Sequence, residues 1–138
     1  MEFSSERLHY RLLEEQDREF FISLYQDPKV MRKIGPVLSD NDAATLFTCS
    51  LVRNETRIFR QYIWVIFDKA SNSRSGITML KALSSERCEI GLILQRKVNG
   101  KAYSLEALRF TTWFAFEKLS QTEVLANFKS DHFVIKKL

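Results

Sequence analysis

The residues whose arrangement could do chemistry lie between positions 89 and 103. Lys97, Val98, Asn99, Gly100, Lys101, Ala102 and Tyr103 follow an apolar stretch and open a helical run. At a strand-to-helix junction the first N–H groups of the helix lack intrahelical acceptors, and the helix dipole adds partial positive charge. Phosphate oxygens fit there. Gly100 lets backbone approach a ligand closely, Ala102 is small enough to do the same, and Lys97 and Lys101 add charge. The expectation is a loop that grips a pyrophosphate-bearing ligand. As a pattern, Lys-x-x-Gly-x-Ala is weak, and its place between strand and helix gives it value. The Walker pattern and the complete dinucleotide fingerprint are both absent. An ordinary strand-to-helix turn is the bland alternative.

Just upstream, Glu89 interrupts an apolar strand on the face alternate to Ile90 and Leu92. A carboxylate there is expected to be partly desolvated, which raises its pKa and suits it to proton transfer. The alternative is a structural carboxylate paired with Arg87 or a neighbouring strand. His9 and His132 read as surface or core-edge histidines. Cys49 and Cys88 read as two buried thiols rather than a disulfide framework. No His/Cys/Asp/Glu group has metal-ligand spacing, so no metal is expected, and no Ser-His-Asp or Cys-His arrangement is legible.

The elements that must position these groups follow from periodicity and punctuation. Residues 8–13 read as a strand, and 15–26 as a helix with Phe20, Phe21, Leu24 and Tyr25 on one side. Asp27-Pro28 stops that helix, because proline disfavours helix in the residue before it. A short helical turn is expected over 29–33. Ser39 with Asp42 resembles a capping box and starts a second helix, whose apolar face is Ala44, Phe47 and Leu51. Residues 62–68 form a strand that is apolar on both faces, as central strands are. Residues 69–75 are a hairpin loop, 76–83 and 87–95 the next strands, 102–119 a long helix, 123–128 a fifth strand and 131–138 a last helix. The expected order is β-α-α-β-β-β-α-β-α, a mixed α/β fold. Strands one to four should be antiparallel. A helical crossover makes four and five parallel.

Length and composition narrow the classes. The chain has 138 residues, which suit one domain spanning 1–138, and its 45% apolar content supplies a core. No apolar run approaches the roughly 20 residues of a membrane span. The polar N-terminus has no signal-peptide core, so a cytoplasmic location is expected. A net charge of +4 suits an anionic ligand, but the charges are dispersed, unlike the basic stripe of a nucleic-acid binder.

Several segments together resemble the GNAT superfamily of N-acetyltransferases, especially the branch that modifies ribosomal-protein N-termini. They are Ser5-Glu6-Arg7-Leu8, Asp27-Pro28-Lys29-Val30-Met31, Glu89-Ile90-Gly91, Gly100-Lys101-Ala102-Tyr103 and Glu106-Ala107-Leu108. The resemblance implies that the loop's amides bind the pyrophosphate of acetyl-CoA. It implies that backbone groups of Leu92, Ile93 and Leu94 hold the pantetheine arm and thioester. Asn127, in Asn127-Phe128-Lys129-Ser130, would touch the cofactor. Two departures stand out. Lys97 replaces the usual Arg or Gln, losing the planar donor fork. The family also continues beyond the equivalent of Leu138 with one or two further strands, and it places a general-acid tyrosine where Val134 and Ile135 stand.

The implied reaction moves an acetyl group to a primary amine of a small molecule or peptide. The amine must lose its proton, with pKa about 10.4 for lysine and about 7.7–8.0 for an α-amine. Glu89 is the candidate base, and strand N–H groups would stabilise the oxyanion. The alternative is a non-catalytic CoA-binding or protein-interaction remnant of the fold. A basic RNA-associated module is a distant third. On the helix 102–119, Ala102, Glu106, Arg109, Trp113, Glu117 and Ser120 share an outer stripe, while Leu105, Leu108, Phe110, Phe116 and Leu119 should meet the sheet. Trp113 is out of place among polar groups and is the candidate anchor of a homodimer.

Overall fold

A computed structural model of the chain describes residues 2–32, 34–56, 58–98, 102–128 and 131–136. Seven strands lie side by side in chain order: β1 (Glu2–Ser4), β2 (Leu8–Leu12), β3 (Gln61–Asp68), β4 (Ser73–Ala82), β5 (Arg87–Leu94), β6 (Glu123–Phe128) and β7 (Asp131–Lys136). Helices α1 (Arg18–Gln26), α2 (Pro28–Met31) and α3 (Asp40–Asn54) fill the connection from β2 to β3, and α4 (Tyr103–Lys118) joins β5 to β6. Every neighbouring pair is antiparallel except β5–β6, which the α4 crossover makes parallel. The mixed α/β sheet expected from the sequence is therefore present.

Strand β3 feeds two cores. Ile63, Val65 and Phe67 pack with Phe21, Leu24, Phe47, Ile77 and Ile93. Trp64 and Ile66 point the other way, to Leu8, Tyr10, Leu80, Ile90, Phe110 and Phe114. Helices α1 and α3 cover the first face and α4 the second. Tyr10 stacks on Phe110 at 3.8 Å, and Phe114 meets Trp64 edge-on at 4.7 Å. The helix boundaries have local causes. Ser39 Oγ accepts the Asp42 N–H at 3.1 Å, which starts α3. The Asp27 carboxylate accepts from the Lys29 and Val30 amides, so Asp27-Pro28 both ends α1 and caps α2.

Several expectations change. Residues 131–136 form strand β7, not a helix, and pair with β6 from Phe128↔Asp131 to Glu123↔Lys136. The edge of β6 offers a ladder to a segment rich in β-branched and aromatic residues, and this outweighs its helical reading. The region compared with a tyrosine-bearing helix is therefore extended. Strand β1, absent from the sequence reading, pairs with β2. Cys49 is exposed on α3, and only Cys88 is buried, where burial pushes its thiol up to about 11. On α3 the buried residues are Ala43, Phe47 and Ser50, one position round from the expected face. On α4 they are Tyr103, Ala107, Phe110, Thr111, Phe114 and Ala115, while Leu105 is exposed. Trp113 is 43% exposed, with the Phe3 ring edge-on at 5.9 Å and Lys118 Nζ 5.6 Å from its centroid. A strand missed in the sequence thus gives this tryptophan a partner within its own chain.

Among the described residues, no helix is long and apolar enough to cross a membrane. Gly76 holds β4 against the end of β5: a Cβ there would lie 2.2 Å from the Ile93 carbonyl oxygen and 2.9 Å from Leu94 Cα. Both are backbone atoms, so relief requires the strands to part. Gly76→Ala is expected to cost about 1–3 kcal/mol, the range for overpacking. Urea denaturation checks this, and an unchanged midpoint would refute the close approach.

Candidate active site

Strands β5 and β6 part company in the middle of the sheet. Their register runs from Arg87↔Glu123 to Ile90↔Ala126 and ends there among the described residues. Beyond it, β5 continues through Gly91, Leu92, Ile93 and Leu94, bonded to β4 on its other side. Over the same span β6 continues to Asn127 and Phe128, which pair with β7. Among the described residues the fork leaves one backbone edge of β5 beyond Ile90 without a strand partner. Leu92 and Leu94 turn their amides to that edge, where an extended ligand can meet them, while Ile93 between them, like Gln95, bonds toward β4. Asn127 sits on the opposite prong, paired through its backbone with His132.

At the open end of the fork the chain passes through a short 3-10 turn, Arg96–Val98, in which Lys97 is exposed, and then enters α4. Asn99, Gly100 and Lys101 lie outside the described residues, as does the side chain of Val98. Ala102 is the N-cap of α4, in the left-handed region with φ 60°, and its own side chain makes no capping hydrogen bond. That conformation is costly for any residue with a Cβ, by about 1–2 kcal/mol, and such strain clusters at ligand sites. Alanine also has no oxygen to offer the first-turn N–H groups. At this end too, among the described residues, the buried Oε1 of Gln95 accepts no hydrogen bond. It lies just past β5, where an amide N–H of a ligand would satisfy it. The pantetheine arm of CoA carries such groups, and its pyrophosphate suits a helix start whose N-cap residue offers no oxygen, so the fork and the junction fit this cofactor. Sequence reasoning missed Gln95, because a glutamine ending a strand carries no signal of burial.

Tyr103 behaves differently from its place in the loop pattern. Its ring belongs to the α4 core, and its hydroxyl donates to Asp68 Oδ2 at 2.8 Å. The Arg7 guanidinium lies 4.8 Å from the ring centroid. Asp68 comes first among the causes that raise the Tyr103 pKa. Its side chain anchors the helix, leaving only its amide at the ligand end. One turn on, the Glu106 carboxylate accepts from the Arg7 amide at 2.8 Å, the Leu8 amide at 3.1 Å, Arg7 Nε at 2.9 Å and the Ser5 hydroxyl. Partial burial alone would raise its pKa, but these donors outweigh burial and hold it below the usual range. Two segments that carried the family resemblance, around Ser5 and around Glu106, are thus joined by one carboxylate.

Glu89 lies one residue before the end of the β5–β6 pairing. Its neighbours Cys88 and Ile90 face the α4 core, so Glu89 faces the opposite side of the sheet. Its cross-strand neighbours are Lys81 on β4 and Leu125 on β6. The fork thus separates two tools: a phosphate-suited helix start at its mouth and a carboxylate at its apex. His9 sits on β2 within 3.2 Å of the Ser4 hydroxyl, away from the fork. Among the described residues no group of three or more His, Cys, Asp or Glu could hold a metal ion.

Comparison with known proteins agrees with this geometry. The acetyltransferase (GNAT) domain family matches residues 7–137, so the chain belongs to that family. Its fold is similar to a GNAT-family acetyltransferase from Bacillus anthracis, with TM-score 0.76 and 22% identity over 91% of this chain and 72% of that one. It is also similar to spermidine N-acetyltransferase from Vibrio cholerae in complex with CoA and spermine, with TM-score 0.75 and 18% identity over 88% and 71%. A candidate ribosomal-protein-serine acetyltransferase from Vibrio cholerae matches with TM-score 0.73 and 16% identity over 91% and 72%. No curated protein matches the chain.

Proposed function

We propose that this chain transfers the acetyl group of acetyl-CoA to a primary amine on a small molecule or peptide. The observation that carries the reading is the fork: among the described residues, pairing with β6 stops at Ile90, while β5 runs on to Leu94 and toward a helix start with alanine at its N-cap. Acetyl-CoA supplies an activated acyl group. Lys97 and the amides from Val98 through Asn99, Gly100, Lys101 and Ala102 to Tyr103 hold its pyrophosphate, and the free β5 edge along Leu92, Ile93 and Leu94 holds the arm. Asn127 lies on the other prong, within the span that faces this edge. Glu89 accepts the amine's proton, directly or through water. Holding both reactants in line contributes much of the rate.

Two measurements test this reading. Calorimetry with CoA is expected to show binding to the wild-type chain, weakened by about tenfold or more, a loss of about 1.4 kcal/mol, in Gly100→Val. Equal affinity in that variant would remove the loop from the site. Acetyl-CoA consumption with a panel of primary amines is expected to show turnover. Binding without turnover on any amine would favour the non-catalytic alternative. A homodimer through Trp113 belongs to the same reading. Sedimentation is expected to show a dimer that Trp113→Glu dissociates, and a monomeric wild type removes it.

A further inference from the structure

A cavity of about 490 Å³ opens at the end of the strands remote from the α4 junction, where β3 begins and β4 ends. Among the described residues three cations and no carboxylate line it: the cations are Arg53 from the last turn of α3, Arg60 from the segment entering β3, and Lys81 from β4. Among the described residues none of the three cations is in an ion pair, and Arg53 donates only to Gln61 Oε1, at 3.1 Å. Ile58 and Leu83, both exposed, add apolar wall. Clustered like charges repel one another, an arrangement that an anion relieves.

The position of this cavity relative to Glu89 gives it a meaning. Gln61, Lys81 and Glu89 are successive partners across β3, β4 and β5, so they form one row on the face opposite α4. Directly opposed residues on adjacent strands stand about 4.5–5.5 Å apart at Cβ. The cationic cavity therefore begins one strand away from the candidate base. On the acetyl-transfer reading, on which this inference rests, the amine must come to Glu89. Whatever extends from the amine toward β3 enters a chamber with three positive charges.

We infer that the acceptor is an amine carrying an anionic group, such as an acidic peptide or amino acid, and that Arg53, Arg60 and Lys81 select it. A polyamine would bring further positive charge into a cavity whose described lining holds cations and no carboxylate. The preference runs opposite to the acceptor named for the structurally similar spermidine enzyme.

The test separates this inference from the reading beneath it. In the first arm, amidated N-acetyl-alanyl-glutamate and N-acetyl-alanyl-lysine, which differ in one charge, are titrated calorimetrically into the full chain without turnover. The acidic ligand is expected to bind more tightly. Arg60→Ala and Lys81→Ala remove exposed side chains that the fold does not use. Each is expected to weaken acidic-ligand binding by about tenfold, which corresponds to about 1.4 kcal/mol. In the second arm, acetyl-CoA consumption is followed with the amidated dipeptides alanyl-glutamate, alanyl-glutamine and alanyl-lysine, and with spermidine. The expected order of kcat/KM is acidic, then neutral, then basic. Preference for alanyl-lysine or spermidine, or acidic-ligand affinity unchanged in both variants, overturns the inference while transfer stands. Charge-dependent binding with no turnover on any amine supports the anion site and overturns the transfer reading.

Discussion

Glu89→Gln is expected to lower kcat by about a hundredfold to ten-thousandfold, the usual contribution of a general base. Glutamine keeps the size and hydrogen-bonding shape of the side chain but cannot take a proton. Affinity for CoA is expected to stay at the wild-type value, because the mouth of the fork and the α4 junction lie along β5 from this position, on the far side of Gly91. The loss should therefore fall on kcat. Steady-state kinetics from pH 6 to 9 on the best amine of the panel decide it. The rate should rise as the amine's own proton leaves, and the variant should follow a lower curve. Wild-type kcat/KM across that range would take Glu89 out of the mechanism.

The second large effect concerns the scaffold. Asp17→Asn is expected to cost about 3–5 kcal/mol, the penalty for removing one partner of a buried ion pair. Asp17 is 0% exposed. Its carboxylate accepts from Arg11 at 3.0 and 2.9 Å, from Arg74 Nε at 3.0 Å and from the Glu14 amide at 2.8 Å. Both guanidinium groups also lie over the Phe67 ring, at 5.1 and 5.6 Å. An asparagine would turn an N–H₂ toward one of these donors and leave the Arg11 side chain, 13% exposed, with one fewer counter-charge. Burial alone would raise the Asp17 pKa, but the bonds from Arg11, the Glu14 amide and Arg74 prevail and lower it. The sign follows: a depressed folded-state pKa gives stability that is fully present above the unfolded value of about 3.9. That stability is lost as pH falls through the folded pKa. Urea midpoints should drop in the variant at pH 7, and the gap from wild type should narrow below about pH 4. An equal midpoint at pH 7 would show that the cluster contributes nothing net.

The contrast between strands β3 and β7 shows what a sequence can reveal about this fold. Trp64, Val65, Ile66 and Phe67 are apolar without a break, and only a central strand buries both faces of such a run. The segment from Asp131 carries no comparable signature, because its conformation is decided by the free edge of β6 rather than by its own period. The Ser39 cap was legible because capping acts within three residues. The Glu106 clamp was not, since its donors lie about a hundred residues away in sequence. Tyr103 shows a subtler limit. Its place in the loop pattern suggested a ligand contact, yet Tyr103, Ala107, Phe110, Thr111 and Phe114 already follow the spacing of a buried helical stripe. Two apolar residues outside that stripe, Leu105 and Trp113, blurred its edge. Sequence reasoning placed Glu89 and the late β5 residues on one strand, and the structure supplied the fork between them.

The double fastening of α4 has a thermodynamic consequence for ligand capture. Tyr103 ties the first residue of the helix to Asp68 at the end of β3, and Glu106 ties the next turn to the amides that begin β2. The downstream wall of the proposed phosphate site is therefore ordered by folding itself, before any ligand arrives. Ordering a segment at the moment of binding subtracts from affinity, whereas order already present does not. The helix start should thus add little unfavourable entropy to CoA binding. Loosening either fastening should appear in calorimetry as a less favourable binding entropy, with the enthalpy of the phosphate contacts retained.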